Sequence, residues 1–198
     1  MRPRNLEKEA AIRTIALKII AEQGLENLTM QQLAKAANVS PRTIYIKYAD
    51  KEDLLIKLFI EEVLGAYETA VLQHFSETTD LVSGVQRVWL NAFRYFKENK
   101  PAFVLMQYGK TSPLLNKAFQ ERGIREGHFF APIHRFLLRQ VSAGVIQDLP
   151  FEAHRALLFA PLLELVNEYF EHVGRPQQII TEKVILDCCA IAIKGLKK

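Results

Sequence analysis

Between positions 40 and 51 of this 198-residue chain stand Ser40, Pro41, Arg42, Thr43, Tyr45, Lys47 and Lys51, residue types that meet nucleic acid. An arginine near a helix start can set its planar fork of N–H donors on guanine O6 and N7 in a major groove. Tyr45, Lys47 and Lys51 carry polar groups on arms long enough to reach a phosphate oxygen. Pro41 and Thr43 can offer hydrocarbon to a thymine methyl. Thr29 opens a helix of its own, where a hydroxyl and nearby backbone N–H groups can meet a phosphate. Ser40, just before the helix that carries Arg42, is grouped with these candidate contacts.

No comparable set exists for catalysis. The five histidines, His74, His128, His134, His154 and His172, show no metal-ligand spacing, and His128 and His134 do not stack on one helix face. Cys188 and Cys189 are adjacent and have no basic neighbour to activate a thiolate. A glycine-rich phosphate loop, a nucleophile elbow and a working carboxylate pair are all missing. Neither a metal nor a cofactor is expected, and the chain is not expected to be an enzyme.

The elements that must position the basic set are short helices. Ile12, Ile15, Ala16 and Ile19 recur at helical spacing in an opening helix that stops near Gly24. Thr29-Met-Gln-Gln reads as a capping box starting a second helix with Met30, Leu33 and Ala34 inward. Asn38 suits the left-handed residue of a tight turn, and Ser40-Pro41 supplies a cap and a first-turn proline. Ile44 and Tyr48, four apart, face inward on the third helix and leave Arg42, Thr43, Tyr45 and Lys47 elsewhere. Asp50 then caps a fourth helix entering at Leu54-Leu55. Helix, three-residue turn and a short polar helix form a helix-turn-helix, whose second helix lies in the DNA major groove.

Charge agrees. The formal excess is +4, and all of it lies in residues 1–51, where nine bases face five acids. Such asymmetry suggests a polyanion partner for that segment.

The run Ala21 to Leu54 resembles the TetR family of transcriptional regulators, with the similarity extending from about Ile12 to Leu55. It includes the glycine after helix one, the threonine opening helix two, Leu33-Ala, Val39-Ser, Thr43-Ile-Tyr-Ile-Lys-Tyr48 and Asp50-Lys-Glu-Asp-Leu54. The resemblance implies phosphate contacts from Tyr45 and Lys51 and base contacts near Pro41 to Thr43. Three positions depart from the usual pattern: Asn38 replaces a common glycine, Lys47 a frequent histidine and Tyr48 a frequent phenylalanine. These leave open which bases are read.

Hydrophobic residues make up 49% and charged residues 24%, with only nine Gly and eight Pro, so an all-α chain of about nine helices is expected. Beyond the first four helices, the fourth running to about Phe75, periodicity gives a fifth at Leu81–Lys97 and a sixth from Pro101. A seventh follows Pro113 and continues to about Ser142, an eighth covers Phe151–His172 and a ninth Gln178–Gly195. Leu158, Leu162, Leu165 and Tyr169 make one apolar stripe, and Ile180, Val184, Cys188 and Ile191 another. Alone these read as monomer core; by the resemblance they pair two copies into a homodimer. Trp89, Phe93, Phe96, Phe103, Met106, Phe119 and Phe130 are candidates to line an apolar ligand cavity, the alternative being ordinary core. Gly123, Gly127, Pro132 and Pro161 interrupt helical segments nearby, suggesting kinks that open space.

The expected organisation is a helix-turn-helix head at 1–50 and a helical ligand-binding and dimerisation part at 51–198. The expected function is a cytoplasmic, dimeric regulator, most simply a repressor. It grips a palindromic stretch of double-stranded DNA and is released by an unknown small apolar or amphipathic ligand. Two alternatives stay open: a ligand-binding module or enzyme with a vestigial head, and a constitutive DNA binder. The charged N-terminus does not read as a signal peptide, and no apolar run approaches membrane-spanning length, so no membrane association is expected.

Overall fold

A computed structural model describes residues 3–121 and 129–198 of the chain. Within them the order is α1 (Pro3–Gln23), α2 (Met30–Ala36), α3 (Pro41–Tyr45), α4 (Lys51–Lys57), a π-helical stretch (Leu58–Leu64) and α5 (Gly65–Val71). There follow α6 (Leu81–Glu98), α7 (Lys100–Thr111), α8 (Pro113–Glu121), α9 (Ala131–Ser142), α10 (Phe151–Glu171) and α11 (Glu182–Leu196). The fold is all-α, the described residues holding no strand beyond one isolated bridge between Ile146 and Lys197. None of their helices is long and apolar enough to cross a membrane.

The chain divides into two compact units. The first comprises the described residues within Met1–Ala66 and Asn99–Arg125. There α1 buries Ile12, Ala16, Ile19 and Ile20, leaving Ile15 half-buried, and packs on α7 and α2. The fourth helix expected to run to Phe75 changes character at Leu58. Its buried residues go from Leu54-Leu55 to Leu58-Phe59 and then to Val63-Leu64. The last step is five residues, the reach of the i→i+5 hydrogen bond of a π-helix, so one widened stretch keeps all three pairs on the core side. Phe59 lies edge-on to Phe119, ring centres 5.9 Å apart, and against Gly109, where any Cβ would overlap its ring.

The second unit comprises the described residues within Tyr67–Glu98 and Glu126–Lys198. Its centre is α6, which buries Leu81, Val85, Val88, Trp89, Ala92, Phe93 and Phe96 along one face and packs on α10 and α11. Helix α10 contributes His154, Leu158, Leu162 and Val166, and α11 contributes Ile185, Cys189, Ile193 and Leu196. Ion pairs outside the core link Arg94 to Glu182 at 2.6 Å and Arg135 to Glu77 at 2.5 Å.

Two expected helices are corrected here. The single seventh helix is instead α8 and α9, because Phe130 takes left-handed φ of 61° and Pro132 enters α9 in its first turn. Gly123 and Gly127 lie outside the described residues. The ninth helix starts at Glu182 rather than Gln178. Thr181 caps it by accepting from Val184 N at 3.3 Å, while the Gln178 side chain is held in the preceding loop, donating to Tyr169 O at 3.0 Å. Pro161 does not end α10, which continues through it to Glu171.

Candidate nucleic-acid interface

The site rests on three caps. Thr29 Oγ1 accepts from Gln32 N at 3.1 Å and starts α2. The return half of the expected capping box is not made, because Gln32 Nε2 donates instead to Gln23 Oε1 at 2.7 Å. Helix α2 is thereby tied to the end of α1. Asn38 sits at φ of 51° and turns the chain sharply, with Val39 N reaching back to Ala34 O at 3.0 Å. Ser40 Oγ accepts from Thr43 N at 3.2 Å and lies 2.9 Å from Thr43 Oγ1, so Ser40 and Thr43 hold one another at the start of α3. Asp50 and Asp53 cap α4 reciprocally: Asp50 Oδ1 accepts from Asp53 N at 2.8 Å and Asp53 Oδ2 from Ala49 N at 3.0 Å.

These caps fix which face of α3 is inside. Ile44 and Tyr48 are buried, as their spacing predicts, and burial raises the Tyr48 phenol above its ordinary pKa. Pro41, Arg42, Ile46 and Tyr45 are exposed, Tyr45 at 52%. An arginine fork, a phenol and hydrocarbon therefore share one accessible surface. Thr29 and Ser40 are exposed on the same two helices, and Thr43 is half-buried.

The two lysines differ from that picture. Lys47 is half-buried and its ammonium is engaged by Glu9 of α1, which also lies 3.4 Å from Arg13. Arg13 in turn meets Glu62 at 2.9 Å. Lys51 Nζ donates to Leu25 O at 2.7 Å, closing the α1–α2 loop onto α4. Each ammonium has three donors, so neither engagement exhausts it. Glu9 and Leu25 are partners that sequence reasoning missed, since both are far from the lysines in the chain. Ile46 was also missed. The period that puts Ile44 and Tyr48 inside places it outside, and that was the available signal.

The seven aromatic and methionine candidates are divided between the two units. Trp89, Phe93 and Phe96 are buried in the second unit, where Phe130 is half-buried and Tyr67 stacks on Phe96 at 4.5 Å. Phe103, Met106 and Phe119 belong to the first unit. Of two surface hollows, one is lined by His74, Phe75, Ser76, Thr79, Ser83, Gly84 and Arg87 and the other by Lys18, Ala21, Glu22, Lys100 and Pro101. None of the seven lines either. Trp89 Nε1 is buried without a hydrogen-bond partner.

The terminal stripes are also redrawn. Leu158, Leu162 and Ile180 are buried within this chain, so they serve its own core and are not available to a second copy. Leu165, Tyr169, Val184 and Cys188 are half-buried, Tyr169 lying edge-on to Phe93 at 5.3 Å, and Ile191 is 71% exposed. Burial pushes the Cys189 thiol up to about 12, which keeps it protonated. Among the described residues no three His, Cys, Asp or Glu side chains are grouped to hold a metal. His154 Nε2 pairs with Gln147 O at 2.9 Å, His172 Nδ1 with Glu168 O at 2.8 Å, and His134 lies against Phe151; His128 is outside the described residues.

Comparison with known proteins covers the same stretch of chain. Residues 12–58 match the model of the bacterial regulatory proteins of the tetR family. The chain is 32% identical over 82 residues to an HTH-type transcriptional regulator of Haemophilus influenzae, covering 41% of this chain and 43% of that protein. The stretches shared with the curated relatives span 43%, 64% and 25% of those proteins, less than two thirds in each case. A TetR family regulator of Marinobacter aquaeolei VT8 superposes over the whole of both chains with a TM-score of 0.84 and 26% identity. The transcriptional regulator FadR of Bacillus subtilis, solved in complex with stearoyl-CoA, shares the fold at a TM-score of 0.69 and 18% identity, over 95% of this chain and 99% of that one.

Proposed function

Because this chain belongs to the TetR family of transcriptional regulators, we propose that it is a ligand-responsive repressor that binds a palindromic operator as a dimer. The observation that carries this reading is the division of α3 and the turn that follows it, with Ile44 and Tyr48 buried and Pro41, Arg42, Tyr45 and Ile46 presented outward. Residues 1–50 act as the DNA head and 51–198 as the sensing and dimerising part. Arg42 reads a base edge, and Tyr45 with the backbone around Thr29 and Ser40 holds phosphates. Lys47 and Lys51 add charge while bracing α1 and the α1–α2 loop. The work is binding, done in the cytoplasm and without catalysis.

Two copies pair through α10 and α11, on the sides that this chain leaves open. Leu157, 50% exposed, and Ile191 supply apolar area there, in place of the inward Leu158 and Leu162. A two-fold pair presents two α3 helices to half-sites about 34–36 Å apart. The ligand is small and apolar or amphipathic, and stearoyl-CoA is the first probe, on the strength of the FadR complex. Its binding opens a space beside the α6 aromatics and favours a state with altered head separation. The shift can be no larger than the ligand's difference in affinity between the two states.

One observation favours a second reading, constitutive DNA binding. Trp89, Phe93 and Phe96 are closed in the core of the second unit, and none of the seven candidate ligand residues lines either hollow. A single experiment separates the two. A palindrome is selected from random duplexes with the whole protein, and the complex is then titrated with stearoyl-CoA and with shorter acyl thioesters. Release by a thioester supports the sensor; selection of a palindrome with no release by any of them supports constitutive binding. Failure to enrich any sequence contradicts both.

A further inference from the structure

Ile46 is 75% exposed, more than any other large apolar side chain among the described residues. It is not a loop residue left outside by chance. Ile46 N donates to Arg42 O at 3.0 Å, so it closes the last turn of α3 and stands one turn along from Arg42 on the same side. Arg42, one turn back, and Tyr45, the preceding residue, are exposed as well. With Ile46 three quarters exposed between exposed polar residues, its four apolar carbons remove little from water in the free protein. They leave water only when something with its own apolar group is pressed against them.

In a DNA major groove one base carries such a group, the 5-methyl of thymine. The charge around Ile46 selects DNA over an apolar protein partner, since the whole formal excess of the chain sits in residues 1–51. Four residues of helix advance about 6 Å, close to two base steps of about 3.4 Å. We infer that Ile46 is a specificity residue that reads the methyl of a thymine about two base steps from the base met by Arg42. This rests on the head being a sequence-specific DNA reader. It assigns a role to a position that the polar residue types alone would pass over.

The test uses the full chain and an operator obtained by selection from random duplexes. Each thymine in the half-site is replaced in turn by deoxyuracil, which keeps every hydrogen-bonding group and lacks only the methyl. At one position, about two steps from the base whose replacement matches loss of Arg42, the wild type binds deoxyuracil about fourfold more weakly per half-site. That factor corresponds to about 0.8 kcal/mol, the worth of one buried methyl-sized group. Ile46→Ala discriminates less than twofold at that position, and Ile46→Val keeps part of the discrimination. Because Ile46 is exposed, both variants melt with the wild type, which separates reading from folding. If Ile46→Ala loses affinity equally on thymine and deoxyuracil duplexes, or no thymine shows the effect, the inference is overturned while the DNA reading stands. If no sequence is enriched at all, both fall.

Discussion

Asn38 is the residue on which the placement of α3 turns, and replacing it gives an ordered series. At φ of 51° a Cβ crowds the adjacent carbonyl, a penalty of about 1–2 kcal/mol for ordinary residues that asparagine partly escapes. Asn38→Ala therefore destabilises the protein by about 1 kcal/mol. Alanine brings better helix propensity, but the position is a left-handed turn and that preference works against it. Asn38→Val is worse, since a β-branched residue is an outlier at positive φ. Asn38→Gly stays within about 0.5 kcal/mol of the wild type, because relief in the folded state is offset by greater freedom in the unfolded chain. The turn is also held by Val39 N on Ala34 O and Asn38 N on Lys35 O, at 3.0 and 3.2 Å, so strain at 38 reaches the end of α2 directly. Thermal unfolding should show Asn38→Ala lowered by about 2–4 °C, with Lys35→Ala, an exposed neighbour inside α2, as the control. An Asn38→Ala protein as stable as wild type, or more stable, would refute the assignment of strain at this turn.

Three further outcomes are expected. Gly109→Ala overpacks the first unit against Phe59 and destabilises by about 1–3 kcal/mol, and Phe59→Leu in the same chain restores part of the loss; urea midpoints that show no rescue would contradict the contact. Leu158→Ala removes a fully buried side chain and costs about 2–5 kcal/mol, whereas Ile191→Ala, exposed on the single chain, acts on the pairing of two copies and shifts sedimentation towards a folded monomer; loss of helical signal in the Ile191→Ala monomer would reverse the assignment of faces on α11. The Cys189 thiol is raised from 9.0 to about 12 in the folded chain, so the native state holds its proton while the unfolded state releases it. Its contribution is full below about pH 9 and is lost as pH rises towards about 12, a slope that a Cys189→Ala variant should flatten in alkaline melts.

Much of the head was legible because its determinants are local. Thr29, Ser40 and Asp50 cap the helices they precede, Gly24 and Asn38 take the left-handed turns, and Ile44 with Tyr48 defines the inner face. Each of these is a property of four or five consecutive residues. What was not legible depends on distant partners. Nothing near Lys47 in the chain announces that Glu9, 38 residues earlier, will hold it. The π-helical stretch arises from packing of Leu58 to Leu64 in the first unit and has no composition of its own. Helix α11 carries two adjacent apolar rows, Val184/Cys188/Ile191 and Ile185/Cys189/Ile193, and periodicity alone cannot choose between neighbouring rows. Packing against α6 chose the second. The same holds for the aromatics of α6: the sequence shows that they lie on one face, and only the fold shows that the face is closed.

The central claim, that the outward face of α3 reads DNA sequence, is tested most directly by affinity for a selected duplex measured across salt concentration, for wild type and Arg42→Ala together. The account predicts tight wild-type binding whose log K falls linearly with log salt, by about 0.9 for each phosphate neutralised. Arg42→Ala should lose about 1–3 kcal/mol per half-site and relax preference at one base position. Wild-type binding that is equally weak on every duplex, or an Arg42→Ala protein with unchanged affinity and unchanged preference, would contradict it.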